Sequence, residues 1–389
     1  MSRILGNHPT FMKRKKVIPV RKWITSPTVL GLGLMGAAIL SSTVTAFHEP
    51  VYAGVPKGVT SVQTVLKFAN LEPPHSVFTK MFQWWATEIE KRTGGRLKIE
   101  MYSGGTLARP KSVIEAVAIG LADAGEVVTV FNPGKTPLAT VGQNPVGGSD
   151  IYVNHRAMQD LINNYVPIQE EFKKFNQKAL WTQATGSQRL IGIKPIGTLD
   201  KLKGMKIRAT AQMATLYKKL GAAPVFIPMT ETYEGLQRGT AEAASAGLSH
   251  MESLRFHEVC KHLLMLEGIG VNNAGFGTIN LDTWRKLPPD IRKEVIAVSN
   301  EFPAALSNSM IASERRILEA FKTAGVKVHE LSAADKEKLK AVGREVAAMW
   351  VKTMERKGLP GREILDVLLG AESTYQAEVD ARGYPWDKR

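Results

Sequence analysis

The chain has 389 residues, 44% of them hydrophobic and 22% charged, with a formal net charge of +15 and a single cysteine. This composition excludes a disordered polymer and a membrane bundle, and a lone Cys260 excludes an internal disulfide framework. The length exceeds a typical single core and points to two domains or one large α/β unit.

At the N-terminus a basic run, Lys13-Arg-Lys-Lys with Arg21 and Lys22, precedes an uncharged stretch rich in Leu, Gly and Ala from Val29 to Leu40. Small residues follow at Val44-Thr-Ala46 and Val51-Tyr-Ala53. This order predicts a secretory signal over residues 1–53, cleaved after Ala46 or Ala53, and hence a periplasmic protein. The apolar run is shorter than the roughly 20 residues a membrane span needs. Arg21-Lys22 is not a twin-arginine address, and no cysteine follows the apolar run for lipid attachment. Residues 1–53 hold seven Lys/Arg and one acid, Glu49, so removing that +6 from +15 leaves +9. A basic remainder favours anionic ligands. No aromatic-basic run or zinc-finger spacing is present, and no nucleic-acid partner is expected.

From Gln63 strand and helix signals alternate. Thr64 to Ala69 reads as a strand, and Val77, Met81, Trp85 and Ile89 recur at helical spacing up to Thr93-Gly-Gly95. Leu97, Ile99 and Met101 alternate as a second strand. A helix is expected from Arg109-Pro110 through Val113, Ile114, Val117 and Ala118 to Gly120, then a third strand over Ala124 to Phe131. This β-α-β-α-β order predicts a mainly parallel, two-sided sheet with ligands beyond the carboxyl ends of its strands. A second run begins near Ala184, with strands at Arg189–Ile193, Met205–Thr210 and Val225–Ile227 and a helix over Gln212–Leu220. Thr230 is the expected cap of a helix ending at Gly239. Leu263–Leu266 and Ala274–Ile279 return to strand character. Pro289 to Ala324 is a long helical pattern with Pro303 inside it, where a kink or break is expected because interior proline costs about 3 kcal/mol. Lys336–Lys357 and Gly361–Leu369 read as further helices. No internal repeat or low-complexity tract is visible.

Several familiar motifs fail on context. Gly31-Leu-Gly-Leu-Met-Gly36 matches a dinucleotide fingerprint in letters but lies inside the signal's apolar stretch. Gly134-Lys-Thr136 lacks the earlier glycine of a phosphate loop, and Pro133 and Pro137 bar a helix start. His250, His257, Cys260 and His262 cluster in sequence at a spacing that matches no standard zinc site. There is no Gly-x-Ser-x-Gly elbow or His-Glu-x-x-His pair, so no catalytic residue, cofactor or metal is expected.

The segment Gly204-Met-Lys-Ile-Arg-Ala-Thr210 places Arg208 near the end of a short strand opening onto a cleft. A guanidinium there suits a carboxylate, because its planar donor fork matches two carboxylate oxygens and keeps its charge. Around it stand Leu66-Lys-Phe-Ala-Asn70, Ser103-Gly-Gly-Thr-Leu107, Gly120-Leu-Ala-Asp-Ala124 and Thr198-Leu-Asp-Lys-Leu-Lys-Gly-Met-Lys-Ile-Arg208. Glu231-x-Tyr-x-x-Leu-Gln-x-Gly239 and Asn280-Leu-Asp-Thr-Trp-Arg-Lys-Leu-Pro-Pro-Asp-Ile291 follow. From about residue 62 to the C-terminus the order and spacing of these pieces resemble the solute-binding proteins of tripartite ATP-independent periplasmic (TRAP) transporters, of the dicarboxylate-binding type.

The resemblance implies a two-domain periplasmic-binding-protein fold of the α/β class, hinged and bilobed, with a long helix spanning both domains. Its discontinuous domains would be residues 62–185 plus 274–313 and residues 186–273 plus 314–389. Arg208 falls on the family's signature arginine, and Arg189 or Gln188 on a second contact position. Asn70 ends the first strand in the opposite domain, and Met229 lies where members place an apolar or aromatic contact. Where many members read Asp-Gly-x-Glu after the glycine, this chain reads Thr240-Ala-Glu-Ala-Ala-Ser-Ala-Gly247. Glu242 keeps the acid, but the next contact positions become Ser245 and Ala246, which implies a larger or more apolar pocket. The function implied is capture of an organic acid and its delivery to small and large membrane permease subunits. An exported enzyme on a similar scaffold, or a binding protein serving a sensor, are the alternatives.

Overall fold

The computed structural model describes residues 63–388; the expected signal, its two cleavage points and the Gly31–Gly36 motif lie outside the described residues. The chain opens with β1 (Thr64–Ala69), α1 (Val77–Arg92) and β2 (Leu97–Tyr102). Ser76 caps α1 by accepting the Thr79 N–H, and Lys91 and Arg92 sit in the last turn, where a cation is favoured. The next helix, α2 (Val113–Ala118), starts three residues after Pro110 rather than at it, and β3 (Ala124–Val128) ends earlier than expected. Thr129–Phe131 turns off as a 3-10 segment, because Thr129 bonds across to the Ala274 carbonyl. Then come α3 (Ile151–Asn164), α4 (Val166–Lys173) and the long β4 (Gln177–Ser187).

The second run comprises β5 (Arg189–Gly192), β6 (Lys206–Arg208), α5 (Ala211–Lys219) and β7 (Ala223–Val225). It continues with α6 (Thr232–Gln237), β8 (Ala243–Ala246), α7 (Leu248–Ser253), α8 (Phe256–Val259) and β9 (His262–Met265). Thr230 does not cap α6: it lies in a 3-10 turn, Met229–Glu231, and the preceding carbonyl of Pro228 is bonded by Thr232 instead. The chain closes with β10 (Val271–Asn280), α9 (Leu281–Lys286), α10 (Pro289–Thr323), β11 (Lys327–Glu330), α11 (Ala333–Arg356) and α12 (Gly361–Arg382).

Two mixed sheets result, in strand orders β2-β1-β3-β10-β4 and β11-β9-β5-β8-β6-β7. The mainly parallel sheet expected from the first run is corrected by β10, which pairs antiparallel with both β3 and β4. β10 re-enters the first sheet after the chain has built most of the second. The chain therefore crosses between sheets three times, from β4 to β5 through Gln188, back from β9 to β10, and again from β10 to β11 along α10. Gly270 lies in the return crossing at φ +73, and a Cβ there would meet the Val146 carbonyl oxygen at 2.2 Å. Glycine is the residue that meets both conditions.

The first sheet packs on an aromatic core. Trp181 lies between Phe68, Phe82, Trp85 and Phe302, with ring centroids 4.5 to 6.1 Å away. Gly277 faces Trp181 across the β10–β4 pair, where a Cβ would sit 2.0 Å from the indole. Gly277→Ala is therefore expected to destabilise the fold by about 1 to 3 kcal/mol, the range for overpacking a filled core. Denaturant unfolding with an unchanged slope measures it.

α10 runs 35 residues without a break at Pro303. Its first half packs in the first core through Val298, Phe302 and Leu306, and Ile317 and Phe321 pack in the core of the second sheet. Burial on both sides outweighs the local cost of proline, and the Ser307 hydroxyl donates to the Pro303 carbonyl. The C-terminal helices also join both sheets. Leu339 and Val346 of α11 enter the second core, whereas Trp350, Val351 and residues of α12 pack with the first.

Candidate functional site

A cavity of about 130 Å³ lies between the two sheets, walled on one side by the ends of β3, β4 and β10 and on the other by β6, β8, α5 and α7. Arg208, Gln188, Met229, Ser245 and Ala246 all line it. Arg208 is the last residue of β6, paired with Val225 on one side and Ala244 on the other, so its side chain leaves the sheet where the strands end. It is only 5% exposed. Its Nε donates to the Ile227 carbonyl at 2.9 Å and its Nη1 to the Ser245 carbonyl at 3.2 Å. These two bonds fix the fork. A guanidinium has five N–H donors, and the rest are left for the cavity.

Among the described residues no carboxylate lies within ion-pair distance of Arg208. Burial alone pushes its pKa down to about 10, so it remains charged at neutral pH. A buried, uncompensated cation is costly, and a structural role would have brought an acid to it.

Behind Arg208 runs a relay of hydroxyls and an amide. The Tyr217 hydroxyl donates to Ser245 Oγ, Ser245 donates to Gln188 Oε1, Gln188 Nε2 donates to Thr185 Oγ1, and Thr185 donates to the Asn272 carbonyl. The relay stitches the second sheet to the crossing strands and fixes which way the Gln188 amide faces. Tyr217 is fully buried, and that burial raises its pKa.

Asn70 and Arg189 do not line the cavity. Asn70 is engaged with its own loop: its amide donates to Thr79 and Ser103 at 2.8 and 3.0 Å, and its carbonyl accepts the Glu72 N–H at 2.9 Å. It thereby presents Leu71 and Glu72 to the cavity. Arg189 follows Gln188, and consecutive strand residues point to opposite faces. Its guanidinium meets Glu314 of α10 at 3.8 Å. Glu242 stands apart from the cavity, holding Lys194 at 2.7 Å and the Lys206 N–H at 3.0 Å.

Sequence reasoning gave no ligand role to several polar residues that line the cavity, among them Glu126 on β3, Gln183 on β4 and the pair Glu72–His250. Glu126 was visible as an acid inside an apolar strand run. The fold scatters His250, His257, Cys260 and His262, which lie close together in sequence. His250 Nε2 lies 3.2 Å from Glu72 Oε1, His257 stacks on Phe321, and His262 bonds His329 at 3.0 Å. Cys260 is buried, and its thiol is pushed up to about 12. Among the described residues no group of three or more His, Cys, Asp or Glu is placed to hold a metal ion.

Comparison with known proteins gives the cavity a family context. A solute-binding protein of Albidiferax ferrireducens is 26% identical over 277 residues, 68% of this chain and 78% of that protein. The C4-dicarboxylate-binding periplasmic protein DctP of Rhodobacter capsulatus is 25% identical over 321 residues, 79% of this chain and 89% of that protein. Among solved structures, a TRAP periplasmic solute-binding protein from Desulfovibrio salexigens superposes with a TM-score of 0.72 at 26% identity. That match covers 83% of this chain and 98% of the other, which was crystallised as an open complex with the C-terminus of a symmetry mate in its ligand-binding site. The family model for bacterial extracellular solute-binding proteins, family 7, matches residues 68–354, well over half of the sequence, and the chain belongs to that family, the TRAP solute-binding proteins it resembles.

Proposed function

We propose that this protein is the exported receptor of a TRAP transporter, which captures an organic acid in the cavity between its sheets and passes it to small and large permease subunits in the membrane. The observation that carries this reading is Arg208: buried, charged, fixed by two carbonyls and without an acidic partner among the described residues. A ligand carboxylate supplies the missing charge and fits the fork in two parallel hydrogen bonds. Two relatives support the class. The Rhodobacter protein is named for binding C4-dicarboxylates, and the Desulfovibrio structure holds a polypeptide C-terminus, itself a carboxylate, in its site.

The signal over residues 1–53, cleaved after Ala46 or Ala53, delivers the receptor to the periplasm. The closing lobes are residues 62–185 with 274–313 on one side and 186–273 with 314–389 on the other, and the end of α11 with α12 also packs on the first core. The family role is transport, and binding without turnover is the activity assigned to the cavity. Ligand contacts made to both lobes stabilise the closed form over the open one, which is how a ligand shifts such an equilibrium.

Native mass measurement of freshly isolated protein is expected to show a small acid bound. Small-angle scattering is then expected to show a lower radius of gyration with that acid than without it. Chemical conversion of the acid by the protein would favour the enzyme reading. An unchanged radius at saturation would replace hinge closure with a rigid pocket.

A further inference from the structure

Two segments from opposite lobes meet at the cavity like jaws. One runs from Leu71 to Phe78 and is tied into the first lobe: the Asn70 amide donates to Thr79 and Ser103, its carbonyl accepts the Glu72 N–H, and the Thr79 hydroxyl donates to the Pro73 carbonyl at 2.8 Å. The other is α7, tied into the second lobe. Leu248 and Met251 lie in that lobe's core, and the Arg316 fork of α10 holds both oxygens of Glu252 at 2.5 and 2.8 Å. The jaws touch at three points. His250 Nε2 donates to Glu72 Oε1 at 3.2 Å, the His250 ring stacks on Phe78 with centroids 4.8 Å apart, and His75 Nε2 donates to the Ser253 carbonyl at 3.2 Å. The partners of each hydrogen bond are 178 residues apart in sequence, so no local turn accounts for them.

We propose that these contacts form a clasp that sets the receptor's affinity through closure, without recognising the ligand: Glu72, Phe78 and His250 are its working parts, and Asn70 is a positioning residue that acts through Glu72. This deepens the receptor reading and rests on it and on its two lobes. Each jaw moves with its own lobe, so opening the cleft breaks the hydrogen bonds and parts the rings. The clasp therefore stabilises the closed form alone. As long as the open form predominates without ligand, apparent affinity is intrinsic affinity scaled by the closed fraction, and weakening the clasp raises every dissociation constant by one common factor. A side chain that touched the ligand would instead change the ratio between ligands. Glu72 and His250 direct their bond at each other, whereas Arg208 keeps donors for the cavity. Asn70 turns its amide and carbonyl to its own loop, and it reaches the clasp through the Glu72 N–H.

Isothermal titration of the wild-type protein and its variants with succinate, benzoate and pyroglutamate tests this. In His250→Ala every acid that binds wild type is expected to weaken by about fivefold to fiftyfold, by the same factor to within about twofold, with the order of preference kept. Adding Glu72→Ala to His250→Ala should cost no more than about a further twofold, since the two side chains make one contact. Asn70→Ala should also weaken all acids by a common factor, and lose that effect once Glu72 is alanine. If His250→Ala does not fold, Glu72→Ala and His75→Ala, the latter on an exposed side chain, decide it by the same common-factor measure. A folded His250→Ala within about twofold of wild type for every acid would overturn the clasp. Losses that differ more than about threefold between acids would overturn it too, by making these side chains ligand contacts. If only one acid binds, the double variant decides, and additive losses overturn the clasp. Each of these failures leaves the receptor standing. Binding of none of the three acids by the wild-type protein would overturn the carboxylate receptor itself, and the clasp with it.

Discussion

Arg208→Ala is expected to weaken binding of the carboxylate ligand by about 3 to 5 kcal/mol, on the order of a hundredfold to several thousandfold. The estimate takes roughly 1.5 to 3 kcal/mol for each of two hydrogen bonds to a charged group. The variant leaves the ligand's acid group desolvated in a cavity that holds two glutamates and no other Lys or Arg among the described residues. Arg208→Lys should recover only part, because an ammonium keeps the charge but cannot satisfy both the Ile227 and Ser245 carbonyls while presenting a planar pair of donors to the ligand. The ligand-free variant should unfold no more readily than wild type, since the substitution removes an uncompensated buried charge. Calorimetric titration and denaturant unfolding together separate these effects. Binding of Arg208→Ala within about threefold of wild type, under roughly 0.7 kcal/mol, would mean that the carboxylate is held elsewhere.

How much of this was readable in the sequence depends on whether a residue's neighbours share its periodicity. β1 and β2 were legible because each is short, alternates and is bounded by loop residues, and α1 because Ser76 starts it and Gly94-Gly95 end it. β4 was not. Nearly all of Gln177–Ser187 is buried on both faces, so no period of two survives to mark the strand before Ala184. The sheet order was equally hidden, because β10 joins strands far from it in sequence and only packing decides where it returns. In the site, Arg208 was legible because a charge at a strand end has few structural reasons to be there. Gln188 and Arg189 were ambiguous until the strand's phase was known, since only one of two consecutive residues can face the cavity. Gln183 was lost with its strand. Glu126 carried a signal, an acid in an apolar strand, but its place on the cavity wall follows only from the packing of β3.

Arg189→Ala is expected to separate structure from binding in the opposite sense to Arg208→Ala. Arg189 is 9% exposed, its Nη1 donates to the Gln188 carbonyl at 3.2 Å, and its ion partner is Glu314 at 3.8 Å on α10, the helix that packs on both cores. Removing one member of a buried pair leaves the other uncompensated, at a cost of about 3 to 5 kcal/mol of folding stability. Affinity, by contrast, should stay within about threefold, because the side chain is off the cavity wall. Burial already lifts the Glu314 carboxyl above its usual range, and the charge of Arg189 opposes that rise. Without Arg189 it rises further. A carboxyl whose folded pKa exceeds its unfolded value contributes most below the unfolded value, and that contribution is lost as pH rises through the folded one. The stability deficit of Arg189→Ala should therefore be larger at alkaline than at acidic pH, and adding Glu314→Gln should recover part of it. Denaturant unfolding at two pH values measures the difference. A deficit equal at both would assign the loss to packing alone, and a tenfold or greater loss of affinity in a folded variant would move Arg189 into the binding site.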